Sequence, residues 1–142
     1  MNRGDAFFTV CEYKVTSEKL GNGSSQVHAI VEVRIDGARC VRKDAKGVGP
    51  VHALDNALRK CLLEDFPEIE DVRLSDYRVS VVDAGAATGA KVRVLIEATD
   101  GHTRWDAGCV SDNIIDASFE ALCAASIMGL MRVRPAAAQR AG

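Results

Sequence analysis

The chain has 142 residues, of which 47% are apolar and 27% are charged, and its formal net charge is −2. This is the composition of one ordinary globular domain, and it excludes a strongly basic nucleic-acid-binding protein. No apolar run approaches the roughly 20 residues of a membrane span, and the first residues form no apolar signal core. The five cysteines are scattered without a C-x-x-C pair, which favours reduced thiols. We therefore expect a cytoplasmic domain that binds neither nucleic acid nor membrane.

The first half of the chain predicts three strands followed by one helix. The predicted strands cover about 7–17, 27–35 and 38–46, and the helix begins at Pro50 and closes at Phe66-Pro67. Apolar and more polar residues alternate over 27–35, which is typical of a strand with one better-buried face. Asp36-Gly37 is a strong hairpin signal, and Gly49 is expected to be the helix N-cap before Pro50.

The second half predicts the same order of elements. Its strands cover about 74–83, 92–97 and 102–110, and its helix follows Asn113, a good N-cap, with Asp116 in the first turn. A loop of small residues over 84–90 separates the first two strands. The tail over 135–142 is expected to be disordered.

The two halves are copies of one supersecondary unit. Tyr13-Lys-Val15 recurs as Tyr77-Arg-Val79, 64 positions later, and Asp36-Gly37 falls on Asp100-Gly101 at the same offset. The chain thus reads as one domain over 1–134, with one repeat at about 7–66 and the other at about 74–133. We predict an α+β fold of two pseudo-symmetric βββα units, with antiparallel sheets and helices packed on one side. The six strands could form one sheet or two.

The sequence contains no catalytic motif and no short metal-binding motif. None of the three histidines has a partner at H-x-x-x-H or H-x-E spacing, and no G-x-S-x-G elbow exists. Asp36 and Asp100 are better explained as hairpin-turn residues than as catalytic carboxylates. We therefore predict no catalytic residues, no metal and no cofactor.

The segment from Gly47 to Pro50 has two interpretations that can hold together. It lacks the G-K-[ST] ending of a P-loop, so a nucleotide site is not indicated. Glycine could simply allow a tight turn from strand to helix. Alternatively, it lets a small ligand approach the backbone, where free N–H groups at the helix start attract a carboxylate.

Several segments together resemble the C-terminal regulatory domain of the 2-isopropylmalate synthase and citramalate synthase family. They are 47–60 (GVGPVHALDNALRK), 74–79 (LSDYRV), 91–97 (KVRVLIE), Asp100-Gly101, Trp105 and 111–118 (SDNIIDAS). The resemblance runs from about Tyr13 to about Leu130, and the segments 76–79 (DYRV) and 113–118 (NIIDAS) look more like the citramalate synthase branch. It implies two βββα units related by a pseudo-twofold axis and paired with a second subunit.

The resemblance also implies a role and a pocket. In this family the domain binds the end-product amino acid and inhibits a condensing TIM-barrel domain, which needs about 250 residues and cannot be part of this chain. We expect isoleucine as effector, with leucine second. The implied pocket residues are Gly47, Gly49, Pro50, Ala53, Leu74, Tyr77, Val81, Thr88, Ala90 and Val92.

Tyr77 and Leu74 can belong to such a pocket only under particular structural conditions. A strand tyrosine such as Tyr77 is commonly half-buried with its hydroxyl in water, so its place in a pocket comes from the resemblance. Leu74 can share a face with Tyr77 and Val81 only if the strand contains a bulge or a bend.

Three hypotheses follow from the sequence. The leading one is an allosteric sensor for a branched-chain amino acid that forms a homodimer, with the ligand near the subunit interface. The second is a structural homodimerisation module without a functional ligand site. The third is a small enzyme of an unrecognised kind.

Overall fold

The computed structural model describes residues 7–82 and 90–133, and it contains two antiparallel three-stranded sheets. Sheet A has the order β1-β2-β3 and sheet B the order β4-β5-β6. The strands are β1 (Phe8–Lys19), β2 (Ser25–Ile35), β3 (Arg39–Gly47), β4 (Arg73–Val81), β5 (Val92–Thr99) and β6 (Arg104–Ser111), and the helices are α1 (Pro50–Leu62) and α2 (Ile114–Val133). The predicted α+β class and the two βββα units are confirmed, and the six strands form two sheets.

The hairpin of the first unit forms the predicted tight turn. Asp36 and Gly37 both have positive φ, 51° and 71°, and the Ala38 N–H donates to the Ile35 carbonyl at 3.0 Å. The positive φ of both residues is that of the type I′ turn that an Asp-Gly pair favours, and because Ile35 pairs with Arg39, three residues form the loop. The predicted buried face of β2 is also confirmed, since Val27, Ala29, Val31, Val33 and Ile35 are all buried.

The hairpin of the second unit also contains Asp-Gly but is one residue shorter between equivalent positions, since five residues separate Arg34 from Cys40 and four separate Thr99 from Arg104. Thr99 pairs with Arg104, so four residues form the loop, and only Gly101 has positive φ, at 93°. The Asp100 carboxylate closes the loop by accepting hydrogen bonds from the N–H groups of His102 and Thr103, both at 2.8 Å.

The middle strand of the second unit is shifted by one residue, because ten residues separate the paired Val81 and Val92, whereas nine separate Ser17 and Val27 in the first unit. Tyr13 pairs with buried Val31, and Tyr77, 64 positions later, pairs with buried Ile96, which is 65 positions after Val31. The constant offset of 64 is therefore wrong for β5, although it holds for the strand that contains each tyrosine. A short 3-10 helix, Pro67–Asp71, joins the units and was not predicted.

Both first strands contain an irregularity at the same place. The register of β1 shifts between Val10 and Glu12, and that of β4 shifts between Leu74 and Asp76. Cys11 and Ser75, the residues inside the two shifts, are 64 positions apart. The fold thus repeats a β-bulge at this point, and the bulge required to align Leu74 with Tyr77 is confirmed.

Each helix packs mainly on the second and third strands of its own unit. Helix α1 lies against β2 and β3, and α2 lies against β5 and β6. The units meet through the two helices and through the rings of Tyr13 and Phe119, whose centroids are 4.6 Å apart. Because α2 covers β5 and β6, the helix-facing side of the edge strand β4 is left largely open.

Helix α2 corrects the expectation that no segment is long and apolar enough to span a membrane. Ile114–Val133 meets that length and composition, but 56% of its most apolar window is buried inside the fold. Trp105 Nε1 donates to the Ala125 carbonyl at 2.9 Å, which fixes this helix on β6. Its apolar character is that of a buried core helix.

Candidate functional site

Four of the sequence-predicted site residues lie on one face of sheet B. Leu74 pairs with Ala98, Tyr77 pairs with Ile96, and Val81 pairs with Val92. Ala98 and Ile96 are fully buried, so this is the face that α2 covers further across the sheet. The bulge at Ser75 allows Leu74 to share that face.

The part of this face on β4 is an exposed apolar strip. We define the apolar strip as Leu74, Tyr77, Val79 and Val81; Tyr77 is 39% exposed, Val79 40% and Val81 58%. Val79 was missed by the sequence reasoning, although strict alternation places it between Tyr77 and Val81 on the same face. Apolar side chains that face the core side of a sheet yet remain in solvent indicate a surface that something else covers.

The hydroxyl of Tyr77 is held by the protein. Its oxygen lies 2.9 Å from Oγ of Ser118 on α2, and either atom can be the donor. Ser118 is fully buried, so this bond satisfies a hydroxyl that has little access to water. The expectation that the Tyr77 hydroxyl points into water is wrong.

The other predicted site residues lie at the start of α1, and two of them have a structural reason for their small size. A Cβ on Gly47 would lie 2.3 Å from the backbone nitrogen of Ala53, so α1 can approach β3 only if residue 47 is glycine. Ala53 itself is fully buried. The tight-turn interpretation therefore accounts for both residues.

Gly49 is different, because nothing around it requires a glycine. A Cβ at Gly49 would meet no atom within 4 Å, and its φ of −144° is open to any residue. Gly49 is the N-cap of α1 with Pro50 directly after it, as predicted, and no side chain caps this end of the helix. The open space leaves the ligand-approach interpretation available for Gly49.

The two helix starts differ in their electrostatics. In α2 the Asn113 Oδ1 accepts from the N–H groups of Ile115 and Asp116, at 2.9 and 3.1 Å, and Asp116 adds negative charge in the first turn. The first turn of α1 has no acidic residue. Its partial positive charge is therefore uncompensated by side chains, and an anion is better received there than at α2.

The two groups of candidate residues belong to different units of the protomer. The start of α1 follows sheet A, whereas the apolar strip and Val92 belong to sheet B. Ala90 is half-buried just before β5. Thr88 lies outside the described residues.

A large open cleft of about 880 Å³ lies elsewhere, between β1 of the first unit and β6 with α2 of the second. None of the sequence-predicted site residues lines it. Its charged lining groups, Glu12, Asp116 and Glu120, are all acidic, which disfavours the carboxylate of an amino acid. Sequence reasoning missed the cleft because its walls come from both units.

Two cysteines with apolar neighbours in the sequence line the cleft. Cys61 is buried in the core, whereas Cys109 and Cys123 are half-buried and line the cleft. Burial raises the pKa of the Cys123 thiol, and burial together with the Glu120 carboxylate raises that of Cys109. Both thiols are therefore protonated at neutral pH and are poor nucleophiles.

Two of the three histidines have local partners. His52 Nδ1 accepts from the Val48 N–H at 3.0 Å, and His28 Nε2 lies 3.0 Å from Asp44 Oδ2 on the neighbouring strand. The first contact shapes the entry to α1, and the second is an exposed pair across sheet A. Neither arrangement places a base beside a nucleophile.

Comparison with known proteins agrees with this architecture. The model of a family described as the LeuA allosteric (dimerisation) domain matches residues 1–129. The (R)-citramalate synthase of Geobacter sulfurreducens is 43% identical over 117 residues, which cover 82% of this chain and 22% of that protein. That of Synechocystis sp. is 47% identical over 94 residues (66% of this chain, 17% of that protein), and that of Aquifex aeolicus is 39% identical over 127 residues (89% and 24%).

These relatives confirm the resemblance to the citramalate synthase branch. The chain spans only 17–24% of the length of these three proteins. The chain belongs to the LeuA allosteric (dimerisation) domain family.

Proposed function

We propose that this domain is the allosteric sensor of a citramalate synthase-type enzyme and binds a branched-chain amino acid, isoleucine in preference to leucine. Binding would inhibit the condensing barrel of the same enzyme. The observation that carries the proposal is the apolar strip, an exposed aliphatic surface with one fixed tyrosine on the side of sheet B that faces the core. A branched aliphatic side chain is complementary to such a surface.

The carboxylate of the ligand needs a different partner, and the start of α1 suits it. No side chain caps this helix start, its first turn has no acidic residue, and the space beside Gly49 is open. Backbone N–H groups at a helix N-terminus are good partners for a carboxylate. The cleft is less suitable for a carboxylate, because the charged side chains that line it are all acidic.

We propose that dimerisation brings these two surfaces together. They lie in different units of one protomer, and a pseudo-symmetric chain is well suited to an isologous pair. In this arrangement the apolar strip of one protomer meets the α1 start of its partner, and the ligand lies between them. The exposure of the strip and the dimerisation named in the family description both support the proposal.

The proposal is tested by thermal unfolding in the presence of isoleucine, leucine or valine. A ligand at about 100 times its dissociation constant adds about 2.7 kcal/mol to the free energy of unfolding. We expect the melting temperature to rise most with isoleucine. An unchanged melting temperature in millimolar concentrations of all three amino acids contradicts the proposal.

A pair of variants on opposite faces of sheet B locates the site. Val81 is 58% exposed on the strip face, and Leu95 is 42% exposed on the other face of the same sheet. Val81→Asn should abolish the shift in melting temperature, whereas Leu95→Asn should retain it. Equal shifts in both variants would place the ligand away from the apolar strip.

The second candidate function is a structural dimerisation module without a ligand. The same exposed strip favours it, because a subunit contact alone would cover apolar side chains. This alternative would be supported if sedimentation finds a dimer and the melting temperature does not change with isoleucine, leucine or valine.

A further inference from the structure

Three side chains with metal-binding atoms converge on the outer face of sheet A. They are Cys11 in the bulge of β1, Glu32 in β2 and Cys40 in β3, and their ligand atoms all lie within 4.8 Å of one another. Short sequence motifs did not reveal this cluster, because each residue comes from a different strand.

The geometry of the sheet excludes a disulfide bond between the two neighbouring thiols. Cys11 and Cys40 lie on β1 and β3, with β2 between them. Two strand spacings separate their backbones by about 9.5 Å. A disulfide needs Cα atoms within roughly 7 Å, so Cys11 and Cys40 cannot be joined without moving a strand. An ion that bridges the two sulfur atoms requires no such movement.

The second unit shows that the fold, not chance, brings these three positions together. The equivalents of Cys11, Glu32 and Cys40 are Ser75, Glu97 and Arg104, by their places in the two sheets. Ser75 Oγ donates to Glu97 Oε1 at 2.8 Å, and Arg104 lies 3.7 Å from the same oxygen. In the second unit the central carboxylate is thus satisfied by a hydroxyl and a guanidinium, whereas in the first unit two thiols surround it.

We propose that Cys11, Glu32 and Cys40 form a binding site for a thiophilic d10 metal ion, for which Zn²⁺ is the probe. Two thiolates and one carboxylate are suitable zinc ligands, and a fourth position remains open to water. The site would lie on the opposite side of sheet A from α1, away from the apolar strip.

The surrounding charges are compatible with a bound dication. Two thiolates and a carboxylate carry three negative charges, one more than Zn²⁺ neutralises. The Arg34 guanidinium lies close to Cys40 and Cys11, and it offsets the remaining charge. Arg42 contacts Oε1 of Glu32 at 3.2 Å, which leaves Oε2 for the metal.

The proposal is tested by titrating the metal-stripped, reduced protein with Zn²⁺ against a chelating indicator, and with Co²⁺ while recording thiolate-to-cobalt absorption. We expect one ion per chain. Changing a residue that only hydrogen-bonds to a metal ligand lowers metal affinity by roughly 10–100-fold. Cys11→Ser or Cys40→Ser removes a ligand itself, so each should lower the affinity for Zn²⁺ by more than that. Cys109→Ser, a control in the cleft, should bind as the wild type does.

A gain-of-function variant tests the geometric argument directly. Ser75→Cys combined with Arg104→Cys should create a second site in the second unit and raise the stoichiometry to two. Trp105 fluorescence confirms that each variant is folded, because this single tryptophan is buried in that unit. The proposal is overturned if the wild type does not bind Zn²⁺ stoichiometrically, if Cys11→Ser and Cys40→Ser bind as tightly as the wild type, or if the double variant still binds one ion.

Discussion

The phenolic oxygen of Tyr77 lies 2.9 Å from Oγ of Ser118, and this contact ties the edge strand β4 to helix α2. Helix α2 otherwise packs on β5 and β6, so the hydrogen bond holds the exposed ring of Tyr77 in a fixed orientation. A fixed ring in the middle of the apolar strip gives a ligand or a second subunit a preformed surface.

The Tyr77–Ser118 hydrogen bond should be visible in stability. Tyr77→Phe leaves the buried Ser118 hydroxyl without this partner and should lower the free energy of unfolding by about 1–3 kcal/mol. Combining it with Ser118→Ala should cost less than the sum of the single changes, because the unpaired hydroxyl is then gone. Urea unfolding followed by Trp105 fluorescence measures the free energy of unfolding of the single and double variants. Strictly additive losses would contradict an interaction between Tyr77 and Ser118.

The two glycines before α1 should respond differently to alanine. Gly47→Ala places a Cβ 2.3 Å from the Ala53 nitrogen, and because the obstacle is backbone we expect a loss of about 3 kcal/mol, at the upper end of overpacking costs. Gly49→Ala meets open space and should cost less than about 1 kcal/mol. Similar losses in the two variants would show that α1 does not approach β3 as closely as described.

Gly49 also separates the turn interpretation from the ligand interpretation. Gly49→Val should weaken isoleucine binding more than it lowers stability, because its branched side chain would occupy the space in which a carboxylate approaches the helix start. Melting temperature and affinity are measured on the same variant. If stability falls and the folded fraction binds isoleucine normally, Gly49 has only a structural role.

The hairpin of the second unit should be sensitive to acid. Hydrogen bonds from the Thr103 and His102 amides hold the pKa of the Asp100 carboxyl below its usual value of 3.8. Since the folded state favours the charged form, the stabilisation is present above about pH 4 and is lost as the pH falls further. The gap in melting temperature between the wild type and Asp100→Ala should be constant from about pH 7 to 5 and shrink below about pH 4; a gap that persists at pH 3 would contradict this.

The sequence predicted the repeated units because their signals are local. Asp36-Gly37 specifies a tight turn by its own backbone preferences, and Asn113 caps α2 through the amides that follow it. The one-residue shift of β5 was not predicted, because Asp100-Gly101 keeps the offset of 64 from Asp36-Gly37 although the strand before it does not.

The shared face of the candidate residues on β4 could be predicted, because parity along a single strand decides it. Leu74, Tyr77 and Val81 share a face once the bulge at Ser75 is known, and the sequence already required such a bulge. The cleft and the cluster of Cys11, Glu32 and Cys40 depend on which strands lie side by side. That information is not contained in the spacing of residues along the chain.

Calorimetric titration of the dimer with isoleucine tests the central claim most directly, namely that the domain is an amino-acid sensor. We predict saturable binding of isoleucine, weaker binding of leucine, and loss of binding in Val81→Asn but not in Leu95→Asn. The proposed position of the ligand between protomers links binding to dimerisation, so dilution into the monomer range should weaken the measured affinity. A folded dimer that shows no saturable binding of isoleucine, leucine or valine would contradict the account.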